Sequence, residues 1–196
     1  MSASEVESDE TLWGLVMAGD DSAFSAVFLR HQARVYRYAR RVCESGPDAE
    51  DVAAMAFLEA WRRRGGVRFV DGSLLGWLLV TAANLARNQG RARRRYGRVI
   101  AELAPGVGST TVTSDPATGA GERIDMERAF RRLSNRDQDV LSLCVLEGLP
   151  TAAVSEILGV PAGTVKSRLH RAKASLAALL HEAGAATPSS TREATS

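Results

Sequence analysis

At 196 residues, 45% of them hydrophobic and 24% charged, the chain can bury the core of one medium domain or of two small ones. Its net charge of +2 hides an uneven distribution: the first ten residues hold acids and no base, while Arg87 to Arg98 hold arginines and no acid. Cys43 and Cys144 are too few for a disulfide framework or a cysteine metal cluster, and no apolar run approaches the ~20 residues of a membrane span.

Ala, Leu, Arg and Glu dominate and alternating β-branched runs are absent, which predicts an all-α fold. The acidic opening MSASEVESDE has no apolar centre, so it is not a signal peptide, and residues 1–10 are expected to be disordered. Residues 11–98 then read as a block of four helices. Leu12, Leu15 and Val16 give the first a short apolar face. Asp21 or Ser22 can cap the second, which carries Phe24, Val27, Phe28, Val35, Tyr38, Ala39 and Val42 at helical spacing. ESGPDAED breaks the chain, with Pro47 placed to open a third helix and acids in its first turn. That helix runs through Val52, Met55, Phe57, Leu58 and Trp61. RRRGGVRFVDGS is a loop, and a fourth helix starts at Leu74.

Residues 99–122 are rich in Gly, Ser, Thr and Pro, which predicts a flexible linker between two small helical domains. The second domain, residues 123–182, opens with Ser134 and Asp137 at capping-box spacing. Residues 183–196 have the small, polar composition of a disordered tail. His31, His170 and His181 look scattered and without partners, and no Gly-rich phosphate loop is present, which argues against an enzyme, a metal or a cofactor.

Two stretches point to nucleic acid. In EILGVPAGTVKSRLHRAKASL a short helix meets a tight turn at Gly159-Val160-Pro161 and then a longer helix, the helix-turn-helix arrangement. With Val165, Leu169, Ala172, Leu176 and Leu179 facing inward, Ser167, His170 and Arg171 point outward. Gly163 and Thr164 lie near the exposed start, with Lys166 and Lys173 on one flank and Arg168 on the other. Small and hydrogen-bonding groups toward bases with cations toward phosphates suit a groove-inserted helix. The second stretch is the cluster Arg87, Arg91, Arg93, Arg94, Arg95 and Arg98, whose single sign suits a phosphate backbone; an anionic lipid surface is the alternative, though no apolar face accompanies the run after Leu85.

LGVPAGTVKSRLHRAKASL resembles region 4 of bacterial RNA polymerase sigma factors, in particular the small extracytoplasmic-function (ECF) group. The preceding LPTAAVSEIL departs from the family, offering Pro150, Ala152 and Ala153 where a Ser cap and acids are usual. DDSAFSAVFLRHQARVYRYARRV, GPDAEDVAAMAFLEAWRR and SLLGWLLVTAANLARNQGRARRR resemble region 2 of the same family, in the family's order.

The resemblance implies a sigma factor that binds core polymerase and directs promoter-specific initiation. Its region 4 would read the −35 element through Gly163, Thr164, Lys166, Ser167, Arg168, His170, Arg171 and Lys173. Its region 2 would read the −10 element through Asn84, Arg87, Asn88, Arg91, Arg94 and Arg95. The loop from Val67 to Ser73 would hold a base flipped out during melting, with Phe69 either stacking on it or anchoring the loop. Trp77 would be core. Asp48, Glu50 and Asp51 would dock on the clamp coiled coil of the polymerase's largest subunit. Promoter DNA, core polymerase and an anti-sigma factor are the implied partners, and the implied location is the cytoplasm. A stand-alone helix-turn-helix regulator, of the response-regulator effector type, is the rival reading.

Overall fold

The computed structural model describes residues 7–103 and 121–185. Residues 1–6, most of the expected linker and the tail from residue 186 lie outside the described residues. Within them the fold is all-α, as expected, with a single isolated bridge between Val70 and Ser73.

Helix α1 (Asp9–Met17) is capped by Ser8, whose Oγ accepts the Thr11 N–H at 3.1 Å, and carries Asp9 and Glu10 in its first turn, where acids meet the positive end of the helix. Order thus begins inside the stretch expected to be disordered. Leu12, Trp13 and Val16 turn inward, whereas Leu15 is exposed. Trp13 takes the place expected of Leu15 because the indole packs on Phe24 and Phe69 and donates from Nε1 to the Arg64 carbonyl at 2.9 Å. Helix α2 (Asp21–Val42) is capped one residue earlier than expected, by Asp20, whose Oδ1 accepts from the Ser22 and Ala23 N–H groups. Its Val27, Val35, Tyr38 and Ala39 are buried, at the predicted spacing.

Pro47 opens helix α3 (Gly46–Arg62) as read from the sequence, and Ser45 caps it. A 3-10 turn at Arg64–Gly66 follows. The chain then reverses through a four-residue turn, Val70–Ser73, where the two end residues exchange both backbone hydrogen bonds at 3.0 Å. Asp71 and Gly72 sit at φ 51 and 69, the left-handed pair such a turn requires. Helix α4 (Leu75–Leu103) runs past the expected end of the first block.

Helix α5 (Gly121–Arg132) precedes helix α6 (Asn135–Leu141), which opens with the predicted capping box. Ser134 Oγ accepts the Asp137 N–H at 3.3 Å and donates to Asp137 Oδ2 at 2.6 Å. A π-helical turn (Ser142–Leu146) leads through Gly148, at φ 68, to helix α7 (Thr151–Leu158). Pro150 gives α7 no side-chain cap. Gly159, at φ 64, ends α7 in a left-handed cap, and helix α8 (Ala162–Ala185) follows.

The two blocks share one interior. Val140, Leu143, Val154 and Val165 of the second block are buried in the same apolar cluster as the core of α1–α4, each worth about 1.5–3 kcal/mol relative to exposure. The backbone of α4 approaches α7 at Gly76, where an added Cβ would lie 2.3 Å from Ile157 Cδ1. Arg34 pairs with Glu147 at 2.7 Å, and Arg131 donates to the Cys43 carbonyl at 2.9 Å. Both cysteines are free, and burial pushes the Cys43 thiol up to about 11, so it stays protonated at neutral pH.

Candidate nucleic-acid interface

Helix α8 presents the face read from its sequence. Val165 and Ala172 are fully buried, while Gly163, Lys166, Ser167, His170, Arg171 and Lys173 are exposed and Thr164 and Arg168 half-buried. The tight turn before it is held by Ser155, whose Oγ donates to the Val160 carbonyl at 2.6 Å. Arg171 also donates to Asp137 Oδ1 at 3.0 Å, so the α6 capping box orients one of the outward cations. The result is a cationic ridge with hydroxyl and imidazole groups along its crest, of a width that fits a major groove.

Helix α4 carries the second cationic surface. From Arg91 to Val99 every side chain is exposed, and Asn88 and Asn84 are exposed one and two turns earlier. Arg87 donates to Asn84 Oδ1 at 2.9 Å and Arg91 donates to Asn88 Oδ1, so each amide is oriented by the arginine three residues on. Arg94 and Arg95 pair with no carboxylate among the described residues, which leaves them for an external anion. Arg87 and Arg93 are engaged differently. Arg87 is half-buried and pairs with Asp139 of α6. Burial holds the Asp139 carboxyl above its usual range, against the opposing pull of the Arg87 charge. Arg93 donates to both oxygens of Asp48, at 2.7 and 2.6 Å, and to Glu44.

The three carboxylates at the start of α3 separate into two kinds. The Asp48 side chain, only 14% exposed, accepts from the hydroxyl of the N-cap Ser45 at 2.6 Å, from Gln89 at 2.9 Å and from Arg93. Burial would raise its carboxyl, but the Ser45 and Arg93 bonds outweigh that and hold it below the usual range. Its oxygens are spent on joining α3 to α4. Glu50 and Asp51 are exposed, and Asp51 shares its face with Ala54, Met55 and Leu58. The last two sit in the apolar series of α3 but point to solvent, 41% and 46% exposed. An apolar strip edged by two carboxylates was not expected from the sequence, although spacings of three and four from Asp51 contain it. Phe57 is buried in the core and Trp61 packs against it, facing Phe24 and Arg64.

Between these helices the Val70–Ser73 turn lines an open cavity of about 490 Å³, with Arg68, Phe69 and Trp77 in its wall and Glu156 and Ile157 of α7 at its rim. Phe69 meets Trp13 edge-on at 6.4 Å, which makes it an anchor of the loop as well as part of the wall. Trp77 is half-buried in that wall rather than in the centre of the core. The turn is held from behind by Asp9, 2% exposed. Its Oδ1 accepts from Arg30 at 2.6 Å; its Oδ2 accepts from His31 at 2.6 Å, Ser73 Oγ at 2.8 Å and the Leu74 N–H at 3.0 Å. His31, read as partnerless, is therefore paired; contacts across twenty-two residues leave no local trace.

Comparison with known proteins places both surfaces in one family. A sigma-70 region 2 family model matches residues 27–96, and a sigma-70 region 4 model matches residues 123–176. The ECF RNA polymerase sigma factor SigM of Mycobacterium tuberculosis H37Rv is 32% identical over 173 residues, 88% of this chain and 85% of that protein. The chain belongs to the ECF sigma factors. The ECF sigma-E factor of Escherichia coli K12 is 30% identical to this sigma factor over 87% of the chain and 93% of its own length. Among solved structures, the sigma factor RpoE of Bartonella quintana, in complex with the anti-sigma factor NepR, aligns with TM-score 0.58 and 26% identity over 81% of this chain and 96% of its own. CnrH, in complex with the cytosolic domain of CnrY, shares the fold at TM-score 0.63, with 22% identity over 89% and 97% of the two chains.

As an ECF sigma factor the protein directs transcription initiation, and its family does not consist of enzymes. A stand-alone regulator is not favoured, because the N-terminal block is accounted for by region 2. Among the described residues no helix is long and apolar enough to cross a membrane.

Proposed function

We propose that this sigma factor works through three outward faces. Helix α4 reads the −10 element with Asn84, Arg87, Asn88, Arg91, Arg94 and Arg95. Helix α8 reads the −35 element with the eight residues from Gly163 to Lys173 named above. Helix α3 docks on the clamp coiled coil of core polymerase through Glu50 and Asp51 together with Met55 and Leu58, with Asp48 bracing that helix from behind. Residues 11–98 act as region 2 and residues 123–182 as region 4, joined by residues 99–122. The protein brings no chemistry of its own and works in the cytoplasm, beside its polymerase. An anti-sigma factor is a further partner; the similar Bartonella RpoE was captured with one.

The observation that carries this reading is the pair of cationic helix faces, α4 and α8, on two sigma-family modules of one chain. One and a half turns of DNA separate the two promoter elements by about 50 Å, and the chain from Leu103 at the end of α4 to Gly121 at the start of α5 could span about 65 Å when fully extended. Reading both elements at once requires the blocks to part, which also releases Arg87 from Asp139. Tethering then makes the second contact effectively intramolecular, so two modest readers yield one specific promoter.

Reconstitution with core polymerase tests the proposal. The sigma factor should co-elute with core and direct run-off transcription from genomic fragments. Sequencing the 5′ ends should return one motif pair at −10 and −35 spacing. A dimer that footprints a palindrome without polymerase, and no run-off product, overturns it.

A further inference from the structure

We infer that Asp9 is a positioning residue for promoter melting: its buried carboxylate sets the Val70–Ser73 turn against the start of α4, so that the cavity in front of the turn is aligned with the −10-reading face. The inference rests on the proposed role of this loop in holding an unpaired base.

Geometry carries it. Asp9 lies outside the matched region 2 segment, which begins at residue 27, yet it is the hub between α1, α2, the turn and α4. Its Oδ2 bonds Ser73 and the Leu74 N–H, the last two residues before α4 begins, and Ser73 Oγ accepts in turn from the Leu75 N–H at 3.3 Å. The Glu10 N–H donates to the Gly72 carbonyl at 3.3 Å, and Ser8 packs within 3.4 Å of the Cβ position of Gly72. The turn therefore has one face against α1 and the other open to the cavity. Asp71, a non-glycine residue at φ 51, is held in a conformation that a free loop would leave readily. A base entering the cavity would meet Phe69 and Trp77, which offer aromatic surface, and the exposed Arg68. Each of these lies within five residues of a group that Asp9 bonds. Asp9 itself does not line the cavity, although its partner Ser73 does, so Asp9 acts through the turn rather than on the nucleic acid.

The roles of the two oxygens supply an internal control. Oδ1 serves Arg30, which is 31% exposed and otherwise donates to the Glu7 carbonyl, whereas Oδ2 serves His31 and the turn. Asp9→Ala and Ser73→Ala should loosen the turn, while Arg30→Ala should not.

The test uses holoenzyme and a fluorescent single strand carrying the −10 non-template sequence of a promoter mapped from its own transcripts, with an abasic site walked through the element. Wild type should lose affinity on the order of tenfold at one position, as expected for a stacked base. There, Asp9→Ala should bind the base-containing strand about tenfold more weakly than wild type and the abasic strand equally well. Ser73→Ala should show the same pattern at smaller amplitude, and Arg30→Ala should follow wild type. A base-dependent loss in wild type that Asp9→Ala and Ser73→Ala leave untouched overturns the role of Asp9 alone. So does a loss in the two variants that persists at full size on the abasic strand, which marks general damage to the fold. No base dependence in wild type at any position overturns the base-holding loop, and the inference with it. If Asp9→Ala does not fold, Ser73→Ala decides by the same criteria.

Discussion

At the scale of single residues, the buried Asp9 carboxylate joins α1 to α2 and to the turn before α4. Burial alone would raise it, but hydrogen bonds from His31, Leu74 and Ser73 outweigh that and hold it well below the usual carboxylate range. An unfolded aspartate titrates near ~3.9. Its stabilisation is therefore complete above that pH and fades as acid protonates the folded carboxylate. Asp9→Asn should cost about 2 kcal/mol at neutral pH and flatten the loss of stability below about pH 4. Urea titrations over that range check both effects. This residue was illegible in the sequence. An acid among acids at the N-terminus looks like a solvated tail, and its partners Ser73 and Leu74 lie more than sixty positions away. Ser134 with Asp137 was legible because a capping box is local.

At the scale of elements, α3 and α4 each divide their charges between inside and outside. Asp48 works inward and Glu50 and Asp51 outward, so substitutions on one helix should separate stability from docking. Asp48→Ala should destabilise by about 1–3 kcal/mol, because Gln89 and Arg93 lose the charged acceptor that ties α4 to α3, with core affinity retained by the folded fraction. Glu50→Lys, Asp51→Lys or Met55→Asp should weaken core binding in a titration of labelled sigma while leaving the thermal midpoint near wild type. On α4, replacing Arg91, Arg94 or Arg95 by Ala should lower the slope of log affinity against log salt by about one each, for every residue whose phosphate contact is lost. The outward face of α8 followed from periodicity, since Val165 and Ala172, both fully buried, lie two turns apart on one face. The outward Met55 and Leu58 did not, because a second apolar stripe beside a core stripe reads as one broad face.

At the scale of the whole molecule, the two regions are fused by a common interior and by two ion pairs, Arg34–Glu147 and Arg87–Asp139. Linker composition announced two modules but held no sign that they would pack together; that depends on Val140, Leu143, Val154 and Val165 finding the surface of α2 and α4, contacts with no local signature. Removing both acids, as Glu147→Ala with Asp139→Ala, should enlarge the radius of gyration of free sigma in small-angle scattering and raise its affinity for −10 single strands. The same packing has a thermodynamic consequence for the promoter. Under the proposed reading, a promoter held at both elements engages only molecules whose regions are apart, so its apparent dissociation constant is the intrinsic one divided by the parted fraction. A parted fraction of about 1% would weaken promoter binding by a factor of ~100, while the docking face of α3, exposed in the packed form, would stay available to core. A bulkier residue at Gly76, which would meet Ile157, should then tighten promoter binding and leave core affinity near wild type.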